Sequence, residues 1–470
     1  MPDRYQCLRA LLGDDRLLTA EDDLAHYGRD WTRQYPPAPG AIALPATVEE
    51  VQELVRWARR EGVAIVPSGG RTGLSGGAVA MHGELVVSFE RMNRVLDFDP
   101  LDRTLTVEAG VVTEAVQQAA RERDLFYPVD FGSRGSSQIG GNIATNAGGI
   151  KVIRYGMTRD WVAGLKAVTG TGELLELNRG LVKNATGYDF RHLLIGSEGT
   201  LGLVVEATLR LTDPPPPLAV MLLAVSGLDA LMGVFAQARE HLTLTAFEFF
   251  SEAALKHVLA RGGQRPFEGE APAYVLVEYE APDEHATEAA LAVFEQGVES
   301  GAVVDGVLAQ SQAQASALWH LREGITEAVA PRTPYKNDVS VRIARVASFL
   351  ADLQSLFARE YPDFEVIEFG HIGDGNMHIS VLRPEAMAMD AFTRACAHVT
   401  GKLSDVLARH GGSISAEHGV GLLKKPYLAC TRSAHEIALM RQVKRVFDPD
   451  GILNPGKLFD PEPVSVGHDA

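Results

Sequence analysis

Residues 67–77 read PSGGRTGLSGG, which places five glycines in eleven residues directly after the short apolar run at 63–66. Glycine permits positive φ and lets a ligand approach bare backbone amides, and several such amides in a row can bind a pyrophosphate. The segment matches neither the P-loop pattern GxxxxGK(S/T) nor a GxGxxG that leads into an apolar helix. Taken alone, it fits a cofactor loop and a mobile surface loop equally well.

Two further segments of small and amide residues occur in the same half of the chain. GSSQIGGNIATNAGG spans residues 135–149, and GSEGTLG spans residues 196–202, just before a predicted strand over 203–211. Three such segments predict one long ligand that lies against backbone. A dinucleotide has the required length.

The chain is long enough for two domains, because a single hydrophobic core stops growing well short of 470 residues. DPPPP at residues 213–217 marks the boundary, since four consecutive prolines cannot continue a helix or a central strand. Helical and strand patterns follow one another without regular βαβ alternation, which favours an α+β fold. We predict four parts: an N-terminal segment (1–34), a cofactor domain (35–213), a second domain (218–443) and a C-terminal segment (444–470) that packs back on the first domain.

Local patterns predict several elements of the cofactor domain. Thr47 and Glu50 form a predicted capping box, in which each side chain accepts from the other's backbone amide. The helix that begins at this box is predicted to end at Gly62, its C-cap. Strands are predicted over 84–90, 94–99 and 103–109, a helix over 113–123 and a hairpin over 161–177.

Composition limits the possible partners and compartments. The formal net charge of −17 argues against nucleic acid and against an anionic membrane surface, which both require clustered Lys and Arg. The three cysteines show no CxxC spacing, and no apolar run is long enough to span a bilayer. We find no signal peptide or transit peptide pattern in the N-terminal residues. These features favour a cytoplasmic protein without a membrane span.

The second domain contains a group of potential metal ligands. His371 and His378 flank Gly-Asp-Gly-Asn, a strong turn signal, so two chain segments must fold back for both rings to meet. Glu417 and His418 follow in the glycine-flanked SAEHGVG, residues 415–421. Two imidazoles and one carboxylate with open positions form a catalytic type of site for Zn²⁺, or for Mn²⁺ or Co²⁺. The alternative is that two of the chain's 14 histidines lie near a turn without binding a metal.

PSGGRTGLSGG, SSQIGGNIATNAGG, GSEGTLGLVVEATL and the closing NPGK resemble the FAD-binding domain of the vanillyl-alcohol oxidase and p-cresol methylhydroxylase superfamily. The resemblance extends over roughly residues 35–460, and it is specific to the branch of FAD-dependent D-2-hydroxy acid dehydrogenases. It implies a p-cresol methylhydroxylase type of FAD domain, a second α+β substrate domain and a C-terminal segment that reaches the flavin. By this resemblance the FAD-binding residues are Pro67, Ser68, Gly69, Gly70, Arg71, Thr72, Gly73, Leu74, Ser136, Ser137, Gly140, Gly141, Asn142, Thr145, Asn146, Gly148, Gly149, Glu198, Gly199, Gly202, Val204 and Asn454.

Some members of the superfamily attach FAD covalently through His or Cys. Arg71 stands where their loop histidine is found, and residues 8–395 contain no cysteine. We therefore expect noncovalent FAD.

The resemblance also assigns catalytic roles. HxGDGNxH followed by EHG is the pattern of this branch, and it implies His371, His378 and Glu417 as metal ligands and His418 as the catalytic base that also contacts substrate. The implied reaction is oxidation of a D-2-hydroxy acid, first of all D-2-hydroxyglutarate to 2-oxoglutarate, with hydride transfer to flavin N5. Members of the branch pass electrons to electron-transfer flavoprotein, so we expect that flavoprotein or a quinone as the electron acceptor. The resemblance also implies a homodimer.

Residues before the histidine pair are expected to bind the substrate carboxylate. We predict a helix over 319–326 that carries Arg322 and Thr326 on one face, followed by Lys336. The residues alone fit equally well an Arg322 that is solvated or paired with a neighbour such as Glu323, and the resemblance implies the substrate role. Ser380 stands where members of the branch carry Asn, which leaves the choice of 2-hydroxy acid open.

Alternatives remain at this point. The substrate could be D-lactate, D-malate or glycolate. The chain could also be a flavin subunit that relays electrons within a larger complex, or an oxidase that uses O₂ directly.

Overall fold

The structure is a computed structural model that describes residues 4–460. The first half of the chain forms two sheets. Their strands are β1 (Leu17–Leu18), β2 (Ala41–Ala43), β3 (Ile65–Ser68), β4 (Leu85–Ser88), β5 (Val95–Asp99), β6 (Thr104–Glu108), β7 (Val162–Val168), β8 (Leu174–Leu177) and β9 (Leu203–Arg210). One sheet has the order β1-β2-β4-β3 and is parallel except for β1, and the other is antiparallel with the order β5-β6-β9-β7-β8. The predicted strands and the 161–177 hairpin are confirmed.

Helices cover these sheets, and both sheets contribute to one hydrophobic core. They are α1 (Gln6–Leu12), α2 (Glu21–Tyr27), α3 (Val48–Glu61), α4 (Thr113–Arg121), α5 (Ile139–Thr145), α6 (Val152–Tyr155), α7 (Thr158–Trp161) and α8 (Arg191–Leu194), with a 3₁₀ turn at Asp14–Arg16. Leu8, Leu12 and Leu17 lie in this core, so the N-terminal segment packs with the first half.

Helix α3 begins and ends where the sequence predicts. Thr47 Oγ1 accepts from the Glu50 amide at 3.2 Å, and Gly62 has the left-handed φ of 62°. The reciprocal half of the predicted capping box is wrong. The Glu50 carboxylate instead accepts from the Ala46 amide at 2.7 Å, because it also pairs with Arg16 at 2.6 Å.

The second half forms one seven-stranded antiparallel sheet. Its strands are β10 (Leu218–Val225), β11 (Leu244–Ser251), β12 (Ala273–Glu280), β13 (Val303–Leu308), β14 (Tyr335–Ser340), β15 (Glu365–Gly370) and β16 (Asn376–Leu382). The order is β13-β10-β12-β11-β15-β16-β14. The run of four prolines lies between β9 and β10, where the chain passes from one core to the next.

Successive side chains of these strands point to opposite faces of the sheet, and each face carries its own hydrophobic cluster. The helices of this half are α9 (Leu228–His241), α10 (Glu252–Leu259), α11 (Glu284–Glu299), α12 (Gln312–Glu323), α13 (Ile325–Val329), α14 (Val346–Glu360), α15 (Met389–His410) and α16 (Ala434–Phe447), with 3₁₀ turns at Ala330–Arg332, Ile343–Arg345 and Lys425–Cys430. Helices α9, α11, α14 and α15 cover one face, and α10, α12 and α13 cover part of the other. Two of the three sheets are antiparallel, and parallel strands are confined to β2, β3 and β4, which confirms the α+β prediction.

The C-terminal residues return to the first half. Leu453 forms a parallel bridge with Ile65, and Phe447, Ile452 and Leu453 are buried in the first core. Within residues 4–460, we find no helix that combines the length and the apolar character needed to cross a membrane.

Candidate active site

His371 and His378 lie on a hairpin of the second sheet. His371 directly follows β15, residues 372–375 turn, and His378 is the third residue of β16. Their ring centroids are 5.2 Å apart. The prediction that two segments fold back to bring the rings together is confirmed.

A loop between α15 and α16 adds Glu417 and His418. Glu417 Oε1 lies 3.9 Å from His371 Nε2, 3.8 Å from His378 Nε2 and 3.6 Å from His418 Nε2. The candidate ligand atoms of His371, His378 and Glu417 all lie within 4.8 Å of one another. Two stretches that are distant in sequence, the hairpin of His371 and His378 and the loop of Glu417 and His418, therefore converge at one carboxylate oxygen.

This donor set fits a divalent cation. The nitrogen–oxygen distances are too long for hydrogen bonds, but they suit ligands that share one ion at bonds of about 2.0–2.2 Å. A second group, Asp338, Glu417 and His418, is equally compact. Asp338 is the weaker donor, because its oxygens already accept from Asn376 and from three backbone amides. The residues present therefore favour the pair of histidines with Glu417.

Glu248 on β11 holds the far side of the His371 ring. Its Oε1 lies 2.8 Å from His371 Nδ1, and its Oε2 lies 2.8 Å from Arg322 Nη2. Burial opposes charge on His371, but the Glu248 carboxylate outweighs burial and raises the pKa of His371 to about 9. For His378, burial together with the charge of His371 lowers the pKa well below its usual value. The two rings therefore differ in their readiness to carry a proton.

Sequence reasoning missed Glu248 and Asp338, although a signal exists. Glu248 lies within LTAFEFFS, an otherwise apolar strand, and both side chains are almost fully buried. Carboxylates are rarely buried without a charged or hydrogen-bonding partner. An acidic residue inside a buried strand is therefore a mark of a site.

The residues expected to bind the substrate carboxylate are only partly brought together. Arg322 is 6% exposed at the end of α12 and lies over the Phe369 ring. The helix predicted over 319–326 is interrupted at Gly324: Arg322 is buried near the end of α12, whereas Thr326 lies exposed on the separate helix α13.

Lys336 and Ser380 are register partners on β14 and β16. Ser380 is buried two residues beyond His378. The Lys336 side chain is solvent-exposed, and it lines a cavity of ≈ 190 Å³ whose wall includes His418. Desolvation in this setting lowers the pKa of Lys336.

The predicted cofactor loop presents a row of unbonded amides. Within residues 4–460, no backbone amide from 69 to 74 donates a hydrogen bond to the protein. Arg71 has a left-handed φ of 56°, and its guanidinium stacks on Tyr27. Successive free amides suit the oxygens of a pyrophosphate.

The three glycine-rich segments touch one another. A Cβ at Gly70 would lie 2.0 Å from Ser136 O, and one at Gly199 would lie 2.4 Å from Pro67 Cγ. These contacts leave no room for a side chain at either position. Buried Ser68 Oγ and Gln138 Oε1 have no hydrogen-bond partner among the described residues, which fits a cradle completed by a ligand.

Not every predicted cofactor residue is free to contact a ligand through its side chain. Ser137 and Asn142 are buried, and both side chains hydrogen-bond to Thr113. The Asn146 carboxamide accepts from the Arg159 amide. The side chains of these three residues therefore hold the conformation of the 135–149 segment through hydrogen bonds within the protein.

Asn454 and Glu198 join the C-terminal tail and the second domain to this cradle. Asn454 Nδ2 donates to Gly77 O at 2.9 Å and to Glu198 O at 2.8 Å. The buried Glu198 carboxylate accepts from the amides of Val420 and Gly421, next to the loop of Glu417. The tail therefore returns to the predicted cradle, and the cradle is fixed to the histidine cluster.

Comparisons with known proteins identify the family of the chain. Family models described as "FAD binding domain" and "FAD linked oxidases, C-terminal domain" match residues 39–178 and 214–458. A D-2-hydroxyglutarate dehydrogenase of Xanthomonas citri pv. viticola is 65% identical over 95% of this chain and 94% of its own length. One of Stutzerimonas stutzeri is 54% identical over 96% and 98%.

A solved structure shows the same fold at low identity. The crystal structure of p-cresol methylhydroxylase with substrate bound has a TM-score of 0.76 at 17% identity, covering 97% of this chain and 96% of that one. The predicted p-cresol methylhydroxylase type of fold is confirmed. The chain therefore belongs to the FAD-dependent D-2-hydroxyglutarate dehydrogenase family, a group of oxidoreductases that act on CH–OH donors.

Proposed function

We propose that this protein oxidises D-2-hydroxyglutarate to 2-oxoglutarate. In this proposal noncovalent FAD lies in the cradle, and His371, His378 and Glu417 bind a divalent cation, with Zn²⁺ as the first candidate. The observation that carries the proposal is the convergence of three Nε2 atoms on Glu417 Oε1. Glu417 Oε2 also accepts from the amide of Gly149 in the cradle. The candidate ligand is thus in direct contact with the candidate FAD site, as oxidation of a bound alcohol requires.

Each cofactor has a defined task. FAD supplies the acceptor of the hydride from C2. A divalent cation supplies Lewis acidity, which for bound water lowers the pKa from about 15.7 to about 7. These tasks leave proton transfer and orientation to the protein.

In this proposal His418 takes the hydroxyl proton. Its Nε2 lies 3.6 Å from Glu417 Oε1, so it faces the same point as the candidate ligands. A neutral imidazole nitrogen can accept a proton as a general base.

Cationic groups orient the acid. Lys336 shares the cavity with His418, and Arg322 approaches the cluster through Glu248. An Arg fork and a Lys ammonium suit the two carboxylates of a dicarboxylic acid better than the single carboxylate of lactate. We expect Thr326 and Ser380 to complete this set.

Reoxidation needs an external acceptor. We expect electron-transfer flavoprotein or a quinone, and a cytoplasmic location in keeping with the cysteine usage.

The test is anaerobic addition of substrate to the purified flavoprotein. D-2-hydroxyglutarate should bleach the flavin band and yield 2-oxoglutarate, the L-enantiomer should leave the band unchanged, and D-lactate and D-malate should act more slowly. Preferential bleaching by D-lactate would reassign the substrate. No bleaching by any 2-hydroxy acid would overturn the proposed activity.

A further inference from the structure

Asp338 is a buried carboxylate at the centre of the cluster, and neither the FAD cradle nor the proposed ligand set uses it. It is 2% exposed on the edge strand β14, and its register partner on β16 is His378. Asp338 and His378 therefore project from the same face of the sheet.

One oxygen of Asp338 holds the loop that carries Glu417 and His418. Asp338 Oδ2 accepts from the amides of Ala416, Glu417 and His418 at 3.2, 3.1 and 3.2 Å. Lys424 lies 3.3 Å from the same oxygen and balances its charge. The carboxylate thus fixes the main chain of the candidate ligand and the candidate base relative to the strand.

The same carboxylate faces two imidazoles. Asp338 Oδ1 lies 3.7 Å from His378 Nδ1, and Oδ2 lies 3.4 Å from His418 Nδ1. The two rings are nearly parallel, with 14° between their planes. Each ring directs Nδ1 to Asp338 and Nε2 to Glu417. One carboxylate therefore faces the Nδ1 side of both rings, at distances of 3.4 and 3.7 Å at which no direct hydrogen bond is formed.

We infer that Asp338 is a shared positioning residue, which sets the metal ligand His378 and the base His418 together. The inference rests on the proposed function. Partners behind metal-bound histidines orient the ring and raise its basicity, and their loss typically lowers metal affinity or activity by about 10–100-fold. Asp338 differs from such a partner because it serves the ligand and the base at once.

Glu248 provides the matched comparison. It contacts the Nδ1 of His371 at 2.8 Å, and its other oxygen faces Arg322 rather than the base. Glu248 is therefore expected to affect the metal without affecting His418. The difference between the two carboxylates isolates the shared role.

The experiment compares Asp338→Asn with Glu248→Gln in the FAD-loaded protein. Zn²⁺ affinity is measured by competition with a chromophoric chelator, and the rate of anaerobic flavin reduction is measured at saturating substrate over a range of Zn²⁺. Both variants should bind Zn²⁺ about 10–100-fold more weakly than wild type. The Glu248→Gln rate should rise with added Zn²⁺, whereas the Asp338→Asn rate should stay at least about 10-fold below wild type at every Zn²⁺ concentration.

Asp338→Glu separates charge from position. Glu keeps the charge opposite Lys424 but moves the oxygens by one methylene, so this variant should show the same Zn²⁺-insensitive loss. Full rescue by Glu, wild-type Zn²⁺ affinity in Asp338→Asn, or a rate that Zn²⁺ restores would each overturn the inference. If Asp338→Asn retains no FAD, Asp338→Glu decides alone. A wild-type protein that reduces its flavin independently of metal would instead refute the proposed metal site.

Discussion

Glu417 Oε2 accepts a hydrogen bond of 2.9 Å from the backbone amide of Gly149. Its other oxygen faces the imidazole cluster, so a single carboxylate spans the contact between the FAD cradle and the candidate metal site. The roles of the two oxygens can be tested separately with glutamine, because its carboxamide keeps one acceptor oxygen but carries no charge.

Glu417→Gln should lose the metal and keep FAD. The carboxamide oxygen can still accept from Gly149, but the neutral side chain is a poor cation ligand. The loss of Zn²⁺ affinity should exceed the loss of about 10–100-fold that is typical when a residue behind a metal ligand is replaced. Metal content and the ratio of flavin to protein absorbance measure the two effects. Glu417→Ala is the matched variant, and it should also weaken FAD retention. Unchanged Zn²⁺ affinity in Glu417→Gln would remove Glu417 from the ligand set.

The convergence of His371 and His378 could be predicted from the residues, because its signal is local, whereas the metal-ligand and base roles are implied only by the family resemblance. The turn between His371 and His378 and the glycine-rich segments depend on residue types within a few positions. Glu248 could not be placed in the same way, since its contact with His371 spans 123 residues and depends on strand order. The break at Gly324 was missed because helical spacing alone does not locate the end of a helix.

His418→Gln should slow flavin reduction while leaving FAD and metal in place. Loss of a general base typically lowers a rate by about 10²–10⁴-fold. Stopped-flow reduction under anaerobic conditions measures this step apart from reoxidation. His320→Gln, at an exposed position on α12, is the control and should reduce at the wild-type rate. A His418→Gln protein as fast as this control would exclude His418 as the base.

Arg322→Met should destabilise the fold and raise the KM for substrate. The guanidinium is buried opposite Glu248, and removal of one partner of a buried pair costs about 3–5 kcal/mol where the other charge is left unpaired. His371 remains 2.8 Å from Glu248, so the loss of stability should fall below that range. Urea unfolding of the single variants and of Glu248→Leu with Arg322→Met measures the coupling. The double variant should be less destabilised than the sum of the single changes. Strict additivity would show that the two side chains are not energetically coupled.

Glu368→Gln should flatten the pH dependence of stability. Glu368 is buried on β15, hydrogen-bonded to Gln354 at 2.7 Å, and burial raises its pKa to about 7. Its folded pKa therefore exceeds the value of 4.5 expected in the unfolded chain, so the folded state binds more protons between these two pH values. The free energy of unfolding of the wild type must fall as pH rises through this window, by on the order of 3 kcal/mol in total. Gln cannot ionise, so the variant should gain stability relative to wild type at pH 8 and show little of that gain at pH 5. Thermal midpoints over pH 5–8 measure the difference, with Glu385→Gln as the exposed control. An equal shift at both pH values would mean that Glu368 does not titrate in this range.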